Sequence, residues 1–192
     1  MERSIIMGKE TTKRVIAYAF KDLLLEKPIN KITVSDIAEK CDINRQTFYY
    51  HFHDIIELTE WICETEGQNA LENNTTYNTW QDGFCGIFDI LRKDKIFVTN
   101  IYRHAPTEYL NKYLYRVTYK LLYDVVSEKA DKMIVREDDK AFIANFYKYG
   151  FVGLVTEWIA NDMKDDPKPL VEKLNNLIEG SIEQALSKAA KK

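Results

Sequence analysis

The residues with the most evident chemistry lie in one run, Asn44-Arg-Gln-Thr-Phe-Tyr-Tyr-His51. An Arg fork fits guanine O6 and N7, a Gln amide fits adenine N6 and N7, and a Thr or Tyr surface can meet a thymine methyl. Tyr hydroxyls and a His imidazole can donate to phosphate oxygens. Such chemistry needs side chains held on one side of a rigid rod while others anchor it. At about 3.6 residues per turn, Phe48 and Phe52 fall together as the anchor, and Gln46, Thr47 and Tyr50 point away from them. Tyr49 and His51 flank that outward face, and Arg45 projects from the leading turn.

The elements that would position these side chains are written around them. Val15, Ile16, Ala19, Phe20, Leu23 and Leu24 form one apolar stripe, which predicts a helix from about Thr12 to Lys27. Pro28 closes it, because the residue before proline avoids helical geometry. Thr33 and Asp36 have the form of a capping box ahead of a two-turn helix whose buried positions are Val34, Ile37, Ala38 and Cys41. Asp42-Ile43-Asn44 reads as a tight turn, and Asn44 as the N-cap of the next helix, which runs to Phe52. Helix, three-residue turn, helix is the helix-turn-helix arrangement, whose second helix enters the major groove. Thr33, Ser35 and Asn44, at the two helix starts, join Arg45, Gln46, Thr47, Tyr49, Tyr50 and His51 as candidate DNA contacts, since free amides there suit phosphates. Two short helices joined by a turn also occur in many bundles, so this pattern alone leaves a packing role open.

Beyond this segment the chain reads as helices throughout. A fourth helix starts at Asp54, with Glu57 three residues later, and extends to about Leu71; Glu72–Thr76 reads as a loop. Further helices are predicted at 78–92, 95–104, 107–131, 138–163 and 168–189. The 192 residues include only seven Gly and four Pro, few turn-formers for such a length. The fold class expected is all-α, with a three-helix helix-turn-helix domain at 1–53 and a helical bundle for ligand binding and dimerisation at 54–192. Residues 1–53 carry nine Lys and Arg against seven Asp and Glu, and the rest carry 18 against 23.

Several function classes find no support. No stretch approaches the ~18 apolar residues of a membrane span. The N-terminus lacks an apolar signal core, and Cys41, Cys63 and Cys85 form no CxxC pair, so reduced thiols and a cytoplasmic location are expected. No Gly-rich phosphate loop, GxSxG or triad is visible, so no catalytic residue and no cofactor is expected. His51 and His53 are two apart and cannot share an ion from one helix face. Asp138-Asp139 and Asp162, Asp165 and Asp166 read as solvated helix ends, so no metal is expected.

Two features of the C-terminal part point to partners. The helix containing Ala141–Ala160 is apolar nearly all round, and such a helix must be covered nearly all round. With the stripe Leu170, Leu174, Leu177 and Ile178 it predicts a homodimer interface built on Tyr147, Gly150, Phe151, Leu154 and Trp158 of the one helix and those four residues of the other, the glycines allowing close approach. Tyr115, Tyr119 and Tyr123 share a helix face, which is the pattern of core packing and also of a pocket wall with polar tips. Arg103 and His104, ending the preceding helix, are candidates to reach an acidic or hydroxylated effector beside them.

The run Ile32-Thr-Val-Ser-Asp-Ile-Ala-Glu39, then Ile43-Asn-Arg-Gln-Thr-Phe-Tyr-Tyr-His-Phe52, then Glu57-Leu58, resembles the DNA-binding domain of the TetR family of bacterial transcription regulators. The resemblance covers about residues 10–58. It implies an all-helical homodimer on a double-stranded DNA operator, with Thr47, Tyr49 and His51 as DNA contacts and Arg45, Gln46 and Tyr50 as variable base readers. Two positions depart from the family pattern: Asp42 stands where Gly is usual, and Ile55 where a phosphate-contacting Lys is frequent. A second set, Phe146-Tyr-Lys-Tyr-Gly150, Gly153 and Glu157-Trp-Ile-Ala-Asn-Asp-Met163, resembles a subgroup that includes activators of dihydroxyacetone kinase operons. The function these readings imply is transcriptional regulation in response to a small-molecule effector, or to a partner protein bound by the helical body.

Overall fold

A computed structural model describes residues 2–71 and 80–190, with side chains described for 10–65 and 80–190. The expected loop Glu72–Thr76 and the first two residues of the helix expected at 78–92 lie outside the described residues. Every element among the described residues is helical: α1 (Glu2–Glu26), a short 3-10 turn at Ile29–Lys31, α2 (Val34–Lys40), α3 (Arg45–His51), α4 (Ile55–Leu71), α5 (Trp80–Lys93), α6 (Lys95–His104), α7 (Thr107–Lys129), α8 (Glu137–Ala160), α9 (Lys168–Ile178) and α10 (Ser181–Ala189). The helix expected at 168–189 is two helices. Gly180 interrupts it with φ 71°, a left-handed backbone that glycine adopts without steric penalty. No helix among the described residues is long and apolar enough to cross a membrane.

The chain divides into two compact units, and the division differs from the expected one at residue 53. The first runs through Thr65 and adds Ile96–Leu110. Its core is the α1 stripe of Ile16, Phe20, Leu23 and Leu24 together with Ile37, Phe48, Phe52 and Leu58, all buried. Helix α6 joins it because Phe97 packs edge-on against Phe20 at 6.3 Å. The Asn100 side chain also accepts from the Ile29 amide at 2.9 Å and donates to the Leu24 carbonyl at 3.3 Å. Those two backbone groups lie where α1 ends and have no further helical turn to bond.

The second unit comprises Glu66–Lys95 and the chain from Asn111 onward. A column of rings fills its centre: Trp80 on Phe151 at 5.7 Å, Phe151 on Phe84 at 4.7 Å, Phe84 on Phe88 at 5.1 Å and Phe88 on Trp158 at 4.9 Å. The turn after α8 is clamped to this core. Lys95 donates to the Asp162 carbonyl, and Trp158 Nε1 and Arg92 both donate to the Asp165 carbonyl.

Candidate nucleic-acid interface

The helix-turn-helix is fixed by local hydrogen bonds. The Thr33 hydroxyl accepts from the Asp36 amide at 3.2 Å, and the Asp36 carboxylate accepts from the Thr33 amide at 2.7 Å, a reciprocal capping box. The Lys27 ammonium bonded to it, helped by the Thr33 donors, holds the Asp36 carboxyl down at about 2. Helix α2 ends in a Schellman turn: the Ile43 amide donates to the Ala38 carbonyl and the Asp42 amide to the Glu39 carbonyl. That geometry requires a left-handed residue at Asp42, where φ is 55°. Asp tolerates this better than most residues, which accounts for its presence where the family usually has Gly. Asn44 then caps α3, its Oδ1 accepting from the Thr47 amide at 2.8 Å.

Helix α3 is anchored on one side and free on the other. Phe48 is 0% and Phe52 1% exposed, their rings 5.9 Å apart. Lys13 of α1 lies 5.1 Å over the Phe52 ring and 5.6 Å over that of Trp61. On the outward side Arg45, Gln46, Tyr49 and Tyr50 are exposed, and Thr47 and His51 are half-buried. The Thr47 hydroxyl donates to Asn44 at 3.0 Å, and the Tyr50 and His51 rings meet edge to face at 5.1 Å. Thr33, Ser35 and Asn44 are exposed at the helix starts, with the Thr33 and Asn44 side chains engaged in capping. The arrangement is a rod with a rigid back and a polar, aromatic front whose donors suit base edges and phosphates.

The residues expected at a dimer interface separate into two groups. Phe151, Trp158, Leu174 and Ile178 are buried by the chain itself. For Phe151 and Trp158 the cause is the aromatic column from α5, so a second copy of the chain has no access to them. Tyr147, Leu154 and Leu170 are half-buried, and the Tyr147 hydroxyl shares a hydrogen bond with Ser181 of α10. Gly150 and Leu177 are exposed. The open apolar face of α8 is a different set: Phe142 is 72%, Phe146 68% and Tyr149 59% exposed, at i, i+4 and i+7. Gly150 and Gly153 continue that face, and a Cβ built on either meets nothing within 4 Å. The sequence signal for this stripe was present, but in a helix apolar on all sides it did not stand out.

The five residues expected at an effector pocket belong to two different compact units. Arg103 and His104 are exposed in the first unit, while the three tyrosines lie in the second. There Tyr115 and Tyr119 gather with Tyr149 around a cation, and Tyr123 packs on Tyr119 at 5.6 Å. The Lys148 ammonium sits 5.2 Å from the Tyr115 ring centre, 5.7 Å from Tyr119 and 4.6 Å from Tyr149, and donates to Asn145 at 2.8 Å. The Tyr123 hydroxyl donates to the Glu137 carboxylate, which raises the phenol's pKa above its ordinary value. The shared tyrosine face is therefore a half-exposed cluster with a lysine at its centre.

Residues 19–60 match the family model described as "Bacterial regulatory proteins, tetR family", and residues 78–180 match "Transcriptional regulator C-terminal region". The chain is 36% identical over 102 residues to the HTH-type dhaKLM operon transcriptional activator DhaS of Lactococcus lactis; the match covers 53% of this chain and about half, 52%, of the relative. Among solved structures, a dihydroxyacetone kinase operon activator DhaS superposes with a TM-score of 0.69 at 26% identity, covering 90% of this chain and 97% of that one. NalD of Pseudomonas aeruginosa, the secondary repressor of the MexAB-OprM multidrug efflux pump, gives a TM-score of 0.61 at 16% identity over 93% of this chain and 97% of its own, a likeness of fold. The head motif, the body and both family matches agree, and this chain belongs to the TetR family of transcriptional regulators.

Proposed function

We propose that two copies of this chain bind a double-stranded operator, each inserting α3 into one of two successive major grooves about 34–36 Å apart. The observation that carries this reading is the division of α3 into a buried Phe48 and Phe52 back and an exposed Arg45, Gln46 and Tyr50 front. Arg45 and Gln46 read bases, with Tyr50 beside them, and Thr47, Tyr49 and His51 hold phosphates. The expected test is binding of alanine variants to duplexes selected from a random pool. Arg45→Ala and Gln46→Ala each cost about 1–3 kcal/mol at one base pair and relax preference there. Tyr49→Phe and His51→Ala weaken specific and random duplexes about equally, because phosphates carry no sequence code. Wild-type discrimination in both base-reading variants would remove α3 as the reader.

The dimer forms through the open face of α8, and the protein works in the cytoplasm as a regulator, not as an enzyme. An effector bound by the body shifts DNA affinity only if it prefers one spacing of the two α3 helices over the other. A partner protein in the effector's place is favoured by one observation: the ring column of Trp80, Phe84, Phe88, Phe151 and Trp158 fills the middle of the second unit, while apolar side chains stand exposed on its surface.

A further inference from the structure

Helix α7 carries two rows of side chains in the second unit. Tyr115, Tyr119 and Tyr123 form one, at i, i+4 and i+8, and Lys112, Arg116 and Lys120 form the other with the same spacing. Tyr115 precedes Arg116, and Tyr119 precedes Lys120, so the rows lie side by side on the helix surface. Every exposed position from 111 to 124 is basic, and Tyr115 and Tyr119 stand half-buried beside them. Lys148 of α8 reaches the same two rings, at 5.2 and 5.7 Å, and donates to Asn145. Aromatic faces hold an ammonium without neutralising it. The face thus gathers four positive charges about two rings, although residues 54–192 carry 18 Lys and Arg against 23 Asp and Glu. Like charges at i, i+4 repel along a helix, and Arg116 has such a neighbour on each side. An opposite charge brought from outside removes that repulsion.

The pattern selects the occupant. A second copy related by a two-fold axis presents the same surface to itself and sets like charges together. A membrane surface needs apolar anchors, and the exposed positions here supply only cations. A nucleic-acid strand is a continuous polyanion, and the i+4 row runs on from Lys120 into Asp124 and Glu128, which would repel it after two turns. A helix of a partner protein fits these limits. Carboxylates at i and i+4 on such a helix stand about 5–6 Å apart, the spacing of the basic row, and an apolar stripe beside them covers the tyrosine rings. Tyr and Arg are also the side chains that dominate protein interfaces. We propose that the α7–α8 face of Lys112, Tyr115, Arg116, Tyr119, Lys120 and Lys148 docks an acidic amphipathic helix of a partner protein. This deepens the reading in which a partner protein takes the effector's place, and it rests on that reading for its consequence on regulation.

The test uses the full-length protein and a displayed library of random peptides of about 20 residues. Peptides are selected on wild type and subtracted on a Lys112→Gln, Arg116→Gln, Lys120→Gln variant, whose melting curve and duplex binding match wild type. The survivors carry Asp or Glu at i, i+4 beside leucine or aromatic residues. A synthetic copy of the most enriched peptide binds wild type, and Arg116→Gln and Tyr119→Ala each raise its dissociation constant about fivefold or more. Lys173→Glu, at an exposed site on α9, leaves it unchanged. The proposal is overturned if no peptide survives subtraction, if the survivors are neutral or basic, or if the peptide with its carboxylates changed to amides binds as tightly. It is also overturned if Lys173→Glu weakens binding as much as Arg116→Gln, or if oligo-dT binds through Arg116 and Lys120 where no acidic peptide does. Operator binding without a surviving peptide removes this face alone, and peptide binding without operator binding removes the operator reading alone.

Discussion

Replacing Phe146 by Ala tests the proposed dimer face at its central ring. A buried aromatic side chain covers roughly 150–250 Å². Phe146 is 68% exposed, so about 140 Å² of a ~200 Å² side chain remains for a partner to cover. At ~25 cal/mol per Å² complete cover is worth about 3.5 kcal/mol in each copy. A two-fold axis presents the residue twice; if half of each ring is covered, the loss on truncation is again about 3.5 kcal/mol, or several-hundredfold in the dimer dissociation constant. Phe146→Glu costs more, because it places a charge from each copy in an apolar seam. Sedimentation across a micromolar concentration series reads both. The fold is spared, since Phe146 packs outward, and near-UV circular dichroism of the variants should match wild type. Phe151, five residues on and 1% exposed, is the contrasting site: Phe151→Ala opens the ring column and costs about 3–5 kcal/mol of stability with no specific effect on dimerisation. A Phe146→Glu protein that dimerises like wild type, or a wild-type monomer at micromolar concentration, refutes the argument and with it the paired-groove model.

Two further outcomes concern the helix-turn-helix. The Lys27 ammonium and the Thr33 donors hold the folded Asp36 carboxyl down at about 2, below its ordinary value of 3.8, so its contribution is present above about pH 4 and is lost as pH falls toward 2. Acid titrations of wild type and Asp36→Asn followed by tryptophan fluorescence should differ in slope within that window and converge below it; identical slopes would remove the capping box as a source of acid sensitivity. Asp42→Gly relieves a left-handed Asp at a penalty that glycine avoids, about 1–2 kcal/mol, against a backbone entropy loss of about 0.5–1 kcal/mol. A small net gain in melting temperature is expected, while Asp42→Val should be clearly destabilised.

What could be read from the sequence was what neighbouring residues decide. Thr33 with Asp36, Asn44 after the turn, and the spacing of Phe48 and Phe52 are signals within one or two helical turns, and they place the reading face of α3. Position 180 also carried its signal, a glycine, but the stripe of Leu170, Leu174, Leu177 and Ile178 continues beyond it in Ile182 and Leu186 and argued for one continuous helix, and pattern alone does not weigh a left-handed backbone against burial. In α8 the difficulty was of another kind. Phe146 and Phe151 have the same side chain, and an all-round apolar helix has no polar face from which to infer an inside. The choice is made by rings far away in sequence, Trp80 and Phe84, which meet Phe151 and leave Phe146 uncovered.

The boundary of the first compact unit shows how far such decisions can lie from the elements they affect. Ile29 and Leu24 leave backbone groups unpaired where α1 stops at Pro28, and no residue nearby in sequence supplies partners. Asn100, 71 and 76 positions away, supplies both with one amide, accepting at one end and donating at the other. Phe97, one turn before it on α6, fills the space beside Phe20 and carries Lys21 over its ring at 5.1 Å. A side chain that both caps α1 and belongs to the helix α6 makes α6 part of the DNA-binding head in energetic terms, although chain order assigns it to the body. Sequence periodicity could place α6 as a helix with Phe97, Val98 and Ile101 on its buried side. Which surface that side would meet was set by the two unpaired groups at the end of α1, and only the folded chain brings them to Asn100.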